Sequence, residues 1–147
     1  MVKFAYRLET KRVKEPDFPY TGKGFTQPED VAEFCLHLRE SDVEKMIVLH
    51  LTAKNKLIGI HVFTGTVDKA VVYPREIIKH SLLTSGAGII LVHNHPSGHF
   101  EPSPEDRAIT DSVVGCANLF GIRILDHIIR GESGFFSPKN AGWIWER

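Results

Sequence analysis

Two cysteines in 147 residues leave little room for a disulfide framework, and Cys35 and Cys116 lie far apart in the chain. Both fall on apolar faces of predicted helices, where a free cysteine behaves as a small hydrophobe. Net charge is missing as well: 18 Lys and Arg balance 18 Asp and Glu. No global field therefore draws the chain to nucleic acid or to an anionic membrane, although a local basic patch stays compatible with the balance. No apolar run approaches the roughly 18 residues of a membrane span. A secretory leader is not visible either, because Met1-Val2-Lys3-Phe4-Ala5-Tyr6-Arg7 is broken by charge before an apolar stretch develops. Internal repeats and low-complexity segments are not evident. These absences point to a cytoplasmic protein. An apolar content of 42% suffices to fill the core of one domain.

What is present reads as alternating strands and helices. Residues Val2 to Val13 alternate apolar and polar side chains (Val2, Phe4, Tyr6, Leu8), the pattern of an edge strand that a second copy of the chain could extend into a homodimer. Lys14 to Phe25, with Pro16, Pro19, Gly22 and Gly24, is an irregular connection or a linker. Residues 1–25 are thus set apart from a domain over 26–147. Thr26 is a candidate N-cap, with Pro28 in the first turn and Glu29 completing a capping box. Val31, Phe34, Cys35 and Leu38 follow at helical spacing, and the helix should end near Arg39 or Glu40. Met46–Leu51 and Leu57–Phe63, joined by the polar turn Thr52–Lys56, form a predicted hairpin. Val67 to Tyr73 crosses to a helix that opens at Pro74 and buries Ile77, Ile78, Ser81 and Leu82. Gly88-Ile89-Ile90-Leu91-Val92 is a short buried strand. Ser103 and Pro104 start a further helix whose inward face carries Ile109, Val113, Cys116, Ala117 and Phe120, and Gly121 stops it. Strands at Ile122–Ile129 and Phe135–Ser137 follow, and Trp143 and Trp145 in the tail close over the core.

The chemistry concentrates after the buried strand, in His93-Asn94-His95-Pro96-Ser97-Gly98-His99-Phe100-Glu101-Pro102-Ser103-Pro104-Glu105-Asp106. Side chains two apart on a strand point the same way, so His93 and His95 can face one ion. Asp106, eleven residues beyond His95, can complete a set of two histidines and a carboxylate, which with an open fourth position is a catalytic rather than a structural zinc set. Taken singly, each part has a plainer role. Strand-end histidines are usually surface or core residues, and Ser103-x-x-Asp106 also fits a capping box. It is their joint occurrence that favours metal ligation by His93, His95 and Asp106. His99 lies in the loop, within swinging distance of metal or substrate. His50 and His61 in the hairpin, and His37 and His80 on helices, are expected at the surface. Asp126-His127 sits inside an apolar strand, where charge is costly unless paired; it either supports the metal ligands or makes structural hydrogen bonds. A zinc hydrolase also needs a base beside its water. Glu101 and Glu105 belong to an exposed turn and helix start. Glu44, opening a buried strand, and Glu76, at a helix start, remain equal candidates.

This pattern resembles the JAB/JAMM (MPN) metalloprotease superfamily, in which a distant Glu precedes His-x-His-Pro-x6-Ser-x2-Asp. Within it the chain is similar to the RadC branch, through His93-Asn94-His95-Pro96-Ser97-Gly98, Tyr73-Pro74-Arg75-Glu76, Lys54-Asn55 and Leu125-Asp126-His127-Ile128-Ile129. The likeness spans roughly Asp30 to Gly134. It implies an α/β fold, a mixed sheet flanked by helices with layering like that of the zinc deaminases. It also implies Zn²⁺ as cofactor, Glu44 as general base and Ser103 as a donor to the oxyanion, with Glu76 structural. Deaminase chemistry is disfavoured, since no Pro-Cys-x-x-Cys supplies the other ligands. Two departures stand out: the helix-hairpin-helix segment of longer RadC proteins does not appear in these residues, and Leu51-Thr52-Ala53 replaces the Leu-Asp-Thr that relatives often carry. The resulting expectation is a zinc-dependent hydrolase of amide bonds, a metallopeptidase or isopeptidase acting on a protein or peptide. The rival is a non-catalytic zinc-binding module tied to DNA repair or mobile elements.

Overall fold

A segment buried at every position, as Gly88–Asn94 is, must be covered on both faces, and this one lies at the centre of a five-stranded sheet. The computed structural model describes residues 1–65 and 72–143. Its strands are β1 (Lys45–Leu51), β2 (Leu57–Thr64), β3 (Gly88–Asn94), β4 (Arg123–Arg130) and β5 (Phe135–Phe136), in the order β2-β1-β3-β4-β5. β3 and β4 are parallel and the other pairs antiparallel, so the sheet is mixed. Helix α1 (Pro28–Phe34) and a 3₁₀ turn at Leu36–Glu40 lie on one face, and α2 (Pro74–Leu83) and α3 (Pro104–Leu119) on the other. This is the α/β architecture expected from the sequence.

Alternation along the central strands divides the core in two. Ile47, Leu49, Leu51, Ile90 and Val92 pack with Val31, Ala32 and Leu38. Met46, Val48, Ile89 and Leu91 pack with Ile77, Ile78, Val113 and Ala117. Each fully buried aliphatic side chain contributes roughly 1.5–3 kcal/mol of transfer free energy. Asn55, at φ 60, takes the left-handed turn position of the β1–β2 hairpin, a conformation that asparagine adopts more readily than most residues. Among the described residues, no helix is long and apolar enough to cross a membrane.

Several expectations are corrected. Val2–Val13 is not a strand: it is exposed throughout and joins no ladder. Alternation favours a strand only where a neighbour accepts the backbone hydrogen bonds, and here the sheet closes without it. The connection that follows is irregular as expected, yet it is no loose linker, because Phe18, Tyr20 and Phe25 pack on the α1-side core. The N-cap of α1 is Gln27, one residue later than Thr26. Asp30, rather than Glu29, accepts hydrogen bonds from Thr26 N and Oγ1 and from Gln27 N, at 2.9, 2.9 and 3.1 Å. Leu82 and Phe120 are exposed, Leu82 in the last turn of α2 and Phe120 at the C-cap of α3. Trp143 packs against Phe136 with the rings tilted at 60°, and the Arg107 guanidinium carbon lies 4.5 Å from the Trp143 ring centre. Trp145 and most of the Val67–Tyr73 crossing fall outside the described residues.

His50 is the largest departure from expectation. It is 1% exposed, because even-numbered β1 residues face α2 and α3. Neither ring nitrogen has a hydrogen-bond partner among the described residues. Burial, with repulsion from His80 and His61, lowers its pKa to about 4. The unfolded chain, with an ordinary histidine near ~6.5, therefore binds more protons than the folded one between those values. Stability contributed by neutral His50 is complete above pH ~6.5 and is lost as pH falls through about 4. Denaturation midpoints of wild type and His50→Leu, measured at pH 7 and pH 4.5, should show the smaller acid loss in the variant, by up to a few kcal/mol. Equal losses would remove His50 from the acid response.

Candidate metal centre

The C-terminal end of β3 brings together donors from three parts of the chain. Met46 pairs with His93 across the β1–β3 ladder, so Glu44, just ahead of β1, arrives beside the histidines. Asn94 fastens this junction. Its Oδ1 accepts from Lys45 N at 2.7 Å and its Nδ2 donates to Val43 O at 3.0 Å, gripping the backbone on both sides of Glu44. His95 lies one residue past the strand, where its N–H donates to Arg130 O at 3.2 Å. The Pro96-Ser97-Gly98 turn then closes through Gly98 N–H to His95 O at 2.9 Å, with Gly98 at φ 87, a left-handed value that favours glycine.

The third part is the first turn of α3. Ser103 is its N-cap and Pro104 its first residue. Ser103 N–H donates to Asp106 Oδ2 at 2.7 Å and Asp106 N–H donates to Ser103 Oγ at 3.1 Å. The capping box is therefore real, and it holds the Asp106 carboxylate against the histidines. Asp106 Oδ1 lies 2.8 Å from His93 Nε2, and Oδ2 lies 3.0 Å from His95 Nε2. The two Nε2 atoms are 3.0 Å apart, and Glu44 Oε1 is 3.8 Å from His93 Nε2. One donor atom from each of Glu44, His93, His95 and Asp106 falls within 4.8 Å of all the others, so the group could hold a metal ion.

Chemistry favours a cation here. Burial raises the Asp106 carboxyl pKa, but hydrogen bonds with His93 and His95 and from the Ser103 backbone outweigh it and hold the group well below the usual carboxylate range. Asp106 also raises the pKa of His95, with burial opposing. Nitrogen and carboxylate donors about 2.0–2.1 Å from one tetrahedral zinc stand roughly 3.3 Å apart, close to the 2.8–3.0 Å separations found here. The donor set fits zinc.

Comparison with known proteins gives the family. The family model described as a RadC-like JAB domain matches residues 25–143. The chain belongs to the RadC-like JAB domain family. It is 42% identical over 142 residues to a UPF0758 protein of Methanosarcina acetivorans, covering 95% of this chain and 59% of that protein. A UPF0758 protein of Histophilus somni is 43% identical over 122 residues, 82% of this chain and 55% of the relative. A third, from Bacillus pumilus, is 40% identical over 119 residues, 80% and 53%. The chain thus spans little more than half the length of these relatives, and their names state no activity.

Within the RadC-like domain, Glu44 joins the cluster and Glu76 does not: Glu76 sits on α2, paired with Lys79 at 2.7 Å. Glu101, Glu105 and His99 are exposed, although a backbone hydrogen bond ties His99 to His95. Asp126 and His127 part company, since adjacent strand residues face opposite sides. Asp126 turns towards α1 and accepts from Ser137 Oγ, Lys139 N and His127 N at 2.5, 3.1 and 2.9 Å. His127 turns inward, its Nε2 2.7 Å from His93 Nδ1. A cavity of about 640 Å³ opens elsewhere, lined by residues of α1, α3 and β4. It contains none of the four donors, and donor chemistry rather than cavity size identifies the centre.

Sequence reasoning passed over Asn94 and also Thr110, whose Oγ1 donates to the Asp106 carbonyl at 2.7 Å. Asn94 stood within the motif, but its register against Lys45 needs the fold. Asn94→Ala should cost about 1–3 kcal/mol, because two part-buried backbone groups lose their partner, measured as a lowered denaturation midpoint. Ser103→Ala should cost about 1 kcal/mol as a lost cap while leaving the protein folded; an unchanged midpoint would mean the cap contributes nothing.

Proposed function

We propose that this domain is a zinc-dependent hydrolase of amide bonds, a metallopeptidase or isopeptidase. The observation that carries this reading is the convergence of two imidazoles and two carboxylates, from three chain segments, within 4.8 Å. His93, His95 and Asp106 are the ligands. When bound, zinc supplies Lewis acidity and lowers the pKa of water towards about 7.

Glu44 is the general base. Its side chain is 14% exposed and lies 3.8 Å from His93 Nε2, within reach of both the ligand set and solvent. It takes a proton from the attacking water at Oε1 and returns it to the departing amine nitrogen. Ser103 steadies the developing oxyanion. Its oxygen accepts from Asp106 N, which leaves the hydroxyl proton for donation towards substrate. The substrate is a protein or peptide. Zero net charge gives no support to a nucleic-acid clamp. The free cysteines Cys35 and Cys116 suit a cytoplasmic setting.

Purified protein should carry one zinc per chain and cleave members of a peptide and isopeptide panel. Glu44→Gln should keep the zinc and lose roughly 10²–10⁴-fold in kcat, the usual contribution of a general base. Absence of stoichiometric zinc would sink the reading. Equal cleavage by both proteins would take Glu44 out of the mechanism, and salt-dependent DNA binding without any hydrolysis would favour the non-catalytic module.

A further inference from the structure

We propose that Arg130 and Arg39 form an anion subsite, at the same end of the sheet as the metal centre, which takes a carboxylate of the polypeptide substrate. The subsite stands on the two arginines. That its ligand belongs to a substrate rests on the hydrolase reading above.

Arg130 is the last residue of β4 and pairs with Asn94, the residue that grips the backbone on both sides of Glu44. Its carbonyl accepts from His95 N–H at 3.2 Å. The backbone of Arg130 therefore borders the centre. Its side chain, in step with Asp126 and Ile128 along the strand, faces α1. The 3₁₀ turn that carries Arg39 packs on β3 and β4.

This is an unusual setting for a guanidinium. Arg130 is only 8% exposed, and its Nε has no hydrogen-bond partner among the described residues. It forms no ion pair among them either. Burial disfavours its charge most, and repulsion from Arg39 adds to that. Cys35 is the other group acting on it, but burial pushes that thiol up to about 12. A neutral thiol at pH 7 supplies no counter-charge. A guanidinium cannot escape by losing its proton, so its burial beside a second cation is an uncompensated cost. The buried acids are better provided for. Asp126 accepts from Ser137, Lys139 and His127, and Asp106 faces two imidazoles.

A carboxylate supplies what Arg130 lacks. The guanidinium fork matches its two oxygens, and Arg39, exposed to solvent, adds a second cation. Two cations in a chain of zero net charge suit one carboxylate better than a run of phosphates, whose binding draws on many basic contacts. An acidic residue or a C-terminus of the substrate would then be held on the α1 side of the centre.

The test follows the Arg130 Nε–H NMR signal of the full chain at constant ionic strength. The probes are an end-capped peptide containing Glu, the same peptide with Gln, a peptide with a free C-terminal carboxylate, and inorganic phosphate. At least one carboxylate peptide should shift the signal and bind ~10-fold or more tighter than the Gln peptide; the tighter of the two identifies the source of the carboxylate. Arg130→Met should abolish the preference and, with the unpaired charge gone, melt no lower than wild type. Arg39→Gln, at an exposed position, should weaken the preference about two- to fivefold, and it keeps the test open should Arg130→Met not fold. Equal binding of the three peptides, an unmoved Arg130 signal, or a preference that survives in Arg130→Met would overturn the proposal. Phosphate bound ~10-fold tighter than both carboxylates would overturn the ligand assignment. A wild type that prefers carboxylates but cleaves nothing would support the subsite and count against the hydrolase reading. Cleavage without any preference would do the reverse.

Discussion

The register between β1 and β3 is the constraint on which the centre depends. Met46 opposite His93 brings Glu44 to the histidines and turns His93 towards α3. A slip of one residue would send His93 to the α1 face and replace it with Asn94. Ordinary amphipathic alternation cannot specify this register, because nearly all of β1 and all of β3 are buried on both faces. The clamp of Asn94 on Val43 and Lys45 supplies a specific polar lock where shape-blind hydrophobicity is degenerate. The residue between the two histidines thus governs a third donor that lies about fifty positions earlier.

Asp106 performs several tasks through different atoms. Its amide and carboxylate complete the cap of α3, its carboxylate faces both histidines, and its carbonyl receives Thr110. Helix initiation and the geometry of the centre are therefore coupled: the same hydrogen bonds that begin α3 hold the carboxylate in place. The capping box and a carboxylate aimed at both histidines, which compete as explanations of Ser103-x-x-Asp106 in the sequence, coexist in the fold. They use separate lone pairs.

Burial controls the electrostatics around this unit. His127 is kept neutral by desolvation, and Asp106 is kept ionised by its hydrogen bonds despite partial burial. His50 shows the same desolvation with no hydrogen-bond partner among the described residues. Two buried histidines of similar accessibility thus differ in what surrounds them: one lies in a hydrogen-bonded chain next to the centre, the other in a cluster of imidazoles on the β1–β2–α2 side.

The sequence by itself determined most of the strands and helices and singled out His93, His95 and Asp106 as a group, because each rests on local spacing: alternation over two residues, helical recurrence, Pro and Gly at boundaries, and a compact His-x-His-Pro motif. It misjudged Val2–Val13, whose alternation is the same as that of a paired strand, since pairing is not a local property. It placed His50 at the surface because alternation does not reveal that a strand is covered on both sides. Between Glu44 and Glu76, spacing was silent, and only the resemblance to RadC proteins separated them. Tertiary structure decided which glutamate meets the histidines, that Asn94 holds it there, and that Asp126 and His127 face opposite layers. Those are questions of register and of face, and they are answered only when strands distant in sequence are laid side by side.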